Sequence, residues 1–153
     1  MLFVLFTLGE GRYALDASEV VEILPRVDVR SVLRSPPAVL GVFSYRGTFV
    51  PAIDLSELVL GRAARARLST RLIIVRYPSR DQPSHLVGLV VERVTETMRC
   101  DAIQFQPSGI ANSEENYNGP IASGPRGFVQ QIALRKLLPA SLSDALFREA
   151  ATQ

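Results

Sequence analysis

Histidine, cysteine, tryptophan and lysine are almost missing from this 153-residue chain. It has one His, one Cys and no Trp, and Lys136 is the only lysine among 17 basic residues. A single cysteine, Cys100, leaves no internal disulfide and no multi-cysteine metal site. A single histidine, His85, removes most histidine-based metal centres and Ser-His-Asp triads. No run approaches the roughly 18 apolar residues of a membrane-spanning helix, and the first residues lack a charged n-region, so neither a span nor a leader is expected. Charge of one sign is also lacking. Seventeen basic against 15 acidic residues leave +2, a weak field with no obvious polyanion preference. Residues 1–80 hold 11 basic and 7 acidic groups, and the remainder 6 and 8. What is abundant is apolar surface: 47% of the residues are hydrophobic, and a length within about 100–200 residues suits one domain with its own core.

Phe3, Val4, Leu5, Phe6 and Leu8 form an apolar run that stops at Gly9-Glu10-Gly11. Arg12-Tyr13-Ala14-Leu15 then resumes an extended pattern, which predicts a hairpin. Asp16 is placed to cap a short helix in which Val20, Val21, Ile23 and Leu24 sit at helical spacing before Pro25. Strands are expected over 39–45 and 48–50 around an Arg46-Gly47 turn, with Pro51 holding the second at an edge or a bulge. One or two helical turns over 56–60 end at Gly61, and 62–70 reads as an arginine-dotted connector. A second cycle has strands over 72–75 and 86–91, with Val94 and Met98 continuing the pattern. Residues 107–127, rich in Gly, Pro, Ser and Asn, read as loop. A strand restarts at Phe128 and Val129, 134–138 forms a helical turn, and 141–151 a terminal helix. Short strands separated by turn residues predict an all-β protein of barrels or a sandwich, in two subdomains.

The chemical candidates are few. Gly9-Glu10-Gly11-Arg12-Tyr13-Ala14, with Asp28 downstream, fits the G-x-G-x-x-A spacing of dinucleotide sites. That chemistry needs a helix opening inside the glycine turn, whereas the chain here re-extends. Cys100 and His85 would need spatial adjacency and an orienting group to act as a thiolate–imidazole pair. Asp16, Glu22, Asp54, Glu92 and Glu96 show no paired spacing and read as caps, turns and solvated faces. Arg62, Arg65, Arg67 and Arg71 form a basic stretch without the interleaved aromatics of a nucleic-acid site. A β-barrel nucleic-acid-binding module remains the alternative function, and it predicts strongly salt-dependent oligonucleotide binding. A chain of turns and strands without a catalytic constellation points to a protein that works through its surface.

Several segments carry a resemblance. Phe6-Thr7-Leu8-Gly9 with Tyr13-Ala14-Leu15-Asp16, and Val20-Val21-Glu22-Ile23-Leu24, precede the longest piece. That piece is Pro37, Leu40-Gly41-Val42, Tyr45-Arg46-Gly47, Val50-Pro51 and Ile53-Asp54-Leu55. Val87-Gly88-Leu89-Val90-Val91 with Val94, and Leu134-Arg135-Lys136-Leu137-Leu138, complete it. Together they resemble the CheW-like family of bacterial chemosensory coupling proteins. Departures are Tyr45 in place of an aliphatic residue, Glu92 in place of aspartate, the polar pair Gln130-Gln131, and Ala133.

The resemblance implies an all-β fold of two intertwined SH3-like five-stranded β-barrel subdomains with a core between them. The expected division lies near residues 60–70, with strand exchange at the termini. It implies no catalysis, no cofactor and no metal. The implied partners are the regulatory domain of a CheA-type histidine kinase and the cytoplasmic tip of a methyl-accepting chemoreceptor. The place would be the cytoplasm, at membrane-bound receptor arrays, with ring assembly among kinase and adaptors. No nucleic acid and no direct membrane insertion are expected, and the departures suggest a dedicated partner set in an alternative, non-flagellar pathway. Carried over by position, Val20, Glu22, Gly41, Arg46 and Gly47 fall in partner-contact segments. Gly41 and Gly47 have the alternative reading of backbone roles, and Val20 that of core. A helix over 20–24 would leave an apolar groove beside Glu22 for a receptor helix. If that groove is absent, the strand bearing Val87 and Val94 is the next expected place.

Overall fold

The computed structural model describes residues 2–25, 28–32, 36–64, 68–77, 85–99, 105–106, 118–124, 127–134 and 137–138. In chain order the strands are β1 (Leu2–Leu8), β2 (Gly11–Asp16), β3 (Val20–Pro25), β4 (Val39–Tyr45) and β5 (Thr48–Asp54). A short helix, α1 (Leu55–Leu60), precedes β6 (Arg71–Tyr77) and β7 (His85–Val91). There follow β8 (Arg93–Arg99), β9 (Phe105–Gln106), β10 (Asn118–Gly124) and β11 (Gly127–Ile132). Two sheets result, ordered β8-β1-β2-β11-β10-β9 and β3-β6-β7-β5-β4. The first has six strands once the two-residue β9 is included. It joins the two ends of the chain, while the second is built from the middle. The connector around residues 60–70 therefore links two elements of one sheet rather than separating the sheets.

The apolar runs explain the layering. In β1, Phe3 and Leu5 face a small cluster with Ala14 and Val129 inside the first sheet. Val4, Phe6 and Leu8 face the opposite way, into a larger cluster with Leu15, Ile73, Val75, Val87, Leu89 and Val91. In β6, Leu72 and Ile74 pack with Phe43, Tyr45, Val50 and Ala52 inside the second sheet, while Ile73 and Val75 face the seam. A strand with a barrel interior on one face and the inter-sheet seam on the other is buried on both sides. It therefore reads as an unbroken hydrophobic run.

Three expectations change. Residues 20–24 form strand β3, not a helix. Asp16 does cap, its carboxylate accepting from the Ser18 N–H at 3.0 Å, but what it caps is the single 3-10 turn Ala17–Glu19. The chain then pairs with β6 through Val20↔Val75, Glu22↔Ile74, Ile23↔Ile73 and Leu24↔Leu72. An open sheet edge and β-branched side chains outweigh the short helical spacing, and the helical groove beside Glu22 goes with it. Part of the expected loop at 107–127 is strand β10, paired through Ile121↔Gln130, Ala122↔Val129 and Ser123↔Phe128. Its Asn-Gly-Pro start reads as turn, and only a distant partner reveals the strand; residues 107–117 lie outside those described. Pro51 sits in an interior strand rather than at an edge, next to the bulge that β4 makes between Val39 and Gly41. The ladder to β7 begins one residue later, at Ala52. Val42, opposite Pro51, exchanges its backbone bonds with Arg30 at 2.8 and 2.9 Å, so no proline N–H is needed. The expected helix at 141–151 and Cys100 lie outside the described residues. The expected hairpins and the turn ended by Gly61 are present.

Candidate docking surface

The β4–β5 hairpin positions the signature residues. Tyr45 and Thr48 are its last paired residues, so Arg46 and Gly47 form a two-residue turn, with φ of 50° and 81°. Positive φ at both central positions is the type I′ requirement, which glycine meets and a long side chain meets only with strain. Arg46 is the only non-glycine residue at positive φ among the described residues. The positive φ at Arg46 is what the two-residue turn demands, and it holds the side chain out at the tip, 76% exposed.

Sheet curvature brings the two edge strands of the second sheet together at this tip. Glu22, on β3, receives the Tyr45 hydroxyl of β4 at 2.5 Å through Oε2. The Arg46 guanidinium lies 3.6 Å from the same oxygen and 5.1 Å over the Tyr45 ring. Tyr45 is buried in the second sheet's interior, so its ring anchors the pair and its hydroxyl fixes the carboxylate. Residues 23 apart in sequence meet here because the sheet closes, not because they are near in the chain.

The Tyr45 phenol is held above its ordinary range, first by its hydrogen bond to Glu22 and then by desolvation, against the opposing charge of Arg46. Burial also raises Tyr13 and Tyr77, the latter moderated by the Leu138 N–H that donates to its oxygen at 3.2 Å. A phenol pKa raised on folding means that the native state holds the proton more tightly. The stability it contributes is complete below the unfolded tyrosine value of about 10, and is lost as pH rises through the raised native values. With one lysine in the chain, alkaline titration reports mainly tyrosine. Tyrosinate absorbance at alkaline pH should therefore lag free tyrosine, and the urea midpoint should fall as those phenols ionise. Tyr45→Phe should remove part of that fall.

The other expected site residues are placed differently. Gly41, φ 145°, lies against the Arg30 backbone carbonyl, leaving no room for a side chain. Val20 is half-buried against the seam core, as is Val94, which pairs with Phe6 in the other sheet. Val87 is fully buried in the seam, in register with Val75, and presents nothing to a partner. Glu22, Arg46 and Gly47 thus share one corner, and Val20, Gly41, Val87 and Val94 do not belong to it. Two exposed aromatics escaped the sequence reading. Phe49, on the outer face of β5, is 74% exposed and Phe128, on β11, 73%. A lone phenylalanine in a strand gives no sign of which face it will take.

Among the described residues the dinucleotide and metal readings find no geometry. The Gly9-Glu10-Gly11 segment is the turn between β1 and β2, and the chain continues as strand, so no helix N-terminus faces it. Among the described residues no group of three His, Cys, Asp or Glu could hold a metal ion. Asp54 is buried, but its carboxylate is taken by the amides of Glu57 at 3.3 Å and Ala64 at 2.9 Å. Glu92 is taken by Ser56 and Arg62, at 3.3 and 3.2 Å.

Comparison with known proteins agrees with the fold. A family profile, the CheW-like domain, matches residues 2–140. The chain belongs to the CheW-like domain family. It is 30% identical over 114 residues to the chemotaxis protein CheW of Helicobacter pylori, spanning 74% of this chain and 66% of that protein. It is 29% identical over 139 residues to that of Klebsiella aerogenes, 89% and 80% of the two chains. Protein FrzA of Myxococcus xanthus is 26% identical over 149 residues, 95% and 90% of the two. In structure it is similar to the scaffolding protein TtCheW from Thermoanaerobacter tengcongensis, with TM-score 0.78, 26% identity, and 92% and 94% of the two chains covered. As a CheW-like protein this chain is a non-catalytic scaffold of chemotaxis signalling. No helix among the described residues is long and apolar enough to cross a membrane.

Proposed function

We propose that this CheW-like scaffold joins the cytoplasmic tip of a methyl-accepting chemoreceptor to the regulatory domain of a CheA-type histidine kinase, at the cytoplasmic side of receptor arrays. The observation that carries the reading is the corner of Glu22, Tyr45 and Arg46. A turn arginine with its side chain 76% exposed is braced from below by a buried tyrosine and a half-buried glutamate, and contributes nothing evident to the core. Exposed Phe49 and Phe128, one on each sheet, supply the apolar anchors that protein interfaces favour. Similarity to both chemotaxis CheW proteins and protein FrzA, with the polar Gln130-Gln131 on β11, supports a dedicated partner set in a non-flagellar pathway.

The test is pairwise capture of the receptor tip and the kinase regulatory domain, separately and together. The unmodified chain should retain both and bridge them. Phe49→Ser and Phe128→Ser should each leave the melting temperature within a few degrees, since little buried surface is lost, yet weaken capture of one partner by about tenfold or more. Retention of neither partner by the folded, unmodified chain would refute the coupling role.

A further inference from the structure

Among the described residues the chain crosses between the sheets twice, at the 3-10 turn Ala17–Glu19 and at Glu92. The first crossing is held locally, by the Asp16 carboxylate on Ser18. The second is a single residue between β7 and β8, and side chains 30 and 36 positions away hold it. Ser56, buried in α1, donates to Glu92 Oε1 at 3.3 Å, and the Arg62 guanidinium reaches the same oxygen at 3.2 Å. Arg62 also lies against the first sheet. A Cβ added at Gly9, in the β1–β2 turn, would fall 2.6 Å from Arg62 Nη2 and 3.2 Å from Leu60 Cδ1. The pair thus joins α1, the crossing and the first hairpin, and it walls a cleft of about 450 Å³ that Thr7, Glu10, Ser69 and Arg93 also line.

We propose that the Arg62–Glu92 pair is a clasp across the seam that sets the angle between the two sheets, and that Gly9 is bare so that the guanidinium can reach. The seam core is apolar, and apolar contact holds surfaces together without fixing direction. A charge-assisted hydrogen bond does fix direction. With the Glu92 side chain only 14% exposed, this one is little screened by solvent. The crossing itself supplies the joint, since the φ and ψ of one residue turn β8 relative to β7. The separation of Phe49 and Phe128, exposed on different sheets, follows from that angle. Arg62 is therefore a positioning residue for the outer surface of both sheets.

Spin labels attached at Ser44→Cys and Ser123→Cys, in a Cys100→Ser background, test this in the full chain. Both serines are exposed, and they pair with Phe49 and Phe128 in their ladders. Arg62→Met, which keeps an apolar stem and removes the donors, should broaden the measured distance distribution. Amides of the β1–β8 ladder beside Glu92 should exchange about tenfold faster relative to those of the β4–β5 hairpin. Gly9→Asn should do the same, because asparagine tolerates the φ of 60° while its Cβ displaces the guanidinium. Combined with Arg62→Met, it should add nothing further. An unchanged distance distribution in the folded Arg62→Met and Gly9→Asn proteins would overturn the proposal. So would equal acceleration of exchange throughout both sheets, the mark of a pair that only adds stability. Additive effects of Gly9→Asn and Arg62→Met would overturn the part assigned to Gly9.

Discussion

Gly41→Ala should lower the folding stability of this protein by about 3 kcal/mol or more, enough to move its melting temperature by roughly 10 °C. Two penalties combine at this position. The backbone sits at φ 145°, where a side chain is disfavoured, and a Cβ there would overlap the Arg30 carbonyl and approach Ser31 Cα to 2.9 Å. The segment it would strike is held by backbone bonds between Arg30 and Val42, so it cannot yield without giving up the pairing that caps β4. Gly47→Ala is the control. It too has positive φ, 81°, but nothing lies within 4 Å of the added carbon, and the expected cost is only about 1 kcal/mol. Urea unfolding of the two variants separates conformational strain from collision. Equal losses would show that the Arg30 segment moves freely away from β4.

Asp54→Ala should cost about 2 kcal/mol by the same measurement. Asp54 is 3% exposed and serves two backbone amides at once. One carboxylate oxygen accepts from Glu57 at the start of α1, and the other from Ala64 beyond the helix end. Removing the side chain leaves both amides without their acceptor and frees the connector after α1. Asp54→Asn should recover little, because the amide nitrogen of asparagine would face one of the two N–H donors. Full recovery with asparagine would mean that one of the two bonds carries the whole effect.

The sequence made the strands buried on both faces easy to read. The runs around Val4, Ile73 and Leu89 are unbroken because each strand lies between a barrel interior and the seam. The turns at Gly9, at Arg46-Gly47 and at Gly61 were legible because glycine meets a backbone need at each. What was hidden depended on distant pairing. Residues 20–24 have a composition suited to either element, and only the open edge of β6 decides for strand. The stretch from Asn118 has the make-up of a loop until β11 lies beside it. At the corner of Glu22, Tyr45 and Arg46, the arginine and the glutamate could be singled out, and Tyr45 stood out as unusual. That Tyr45 and Arg46 would both meet Glu22 at one carboxylate oxygen follows from the closing of the second sheet. Val87 shows the opposite error: its strand was recognised, but alternation turned this side chain inward.

The arrangement of the sheets also sets an order of assembly on the ribosome. Every strand of the second sheet lies between Val20 and Val91, so that sheet can close while the rest of the chain is still being made. The first sheet cannot. β2 waits for β11 to supply its parallel neighbour, Ala14 pairing with Gln131, and β1 waits for β8. Until then the first hairpin is a nascent ribbon with both edges open, and its seam face, Val4, Phe6 and Leu8, can be sheltered only by the completed second sheet. The middle of the polypeptide thus provides the platform on which its two ends are later stitched together. Stalled synthesis short of β11 should leave the place beside β2 unfilled and the seam between the sheets incomplete.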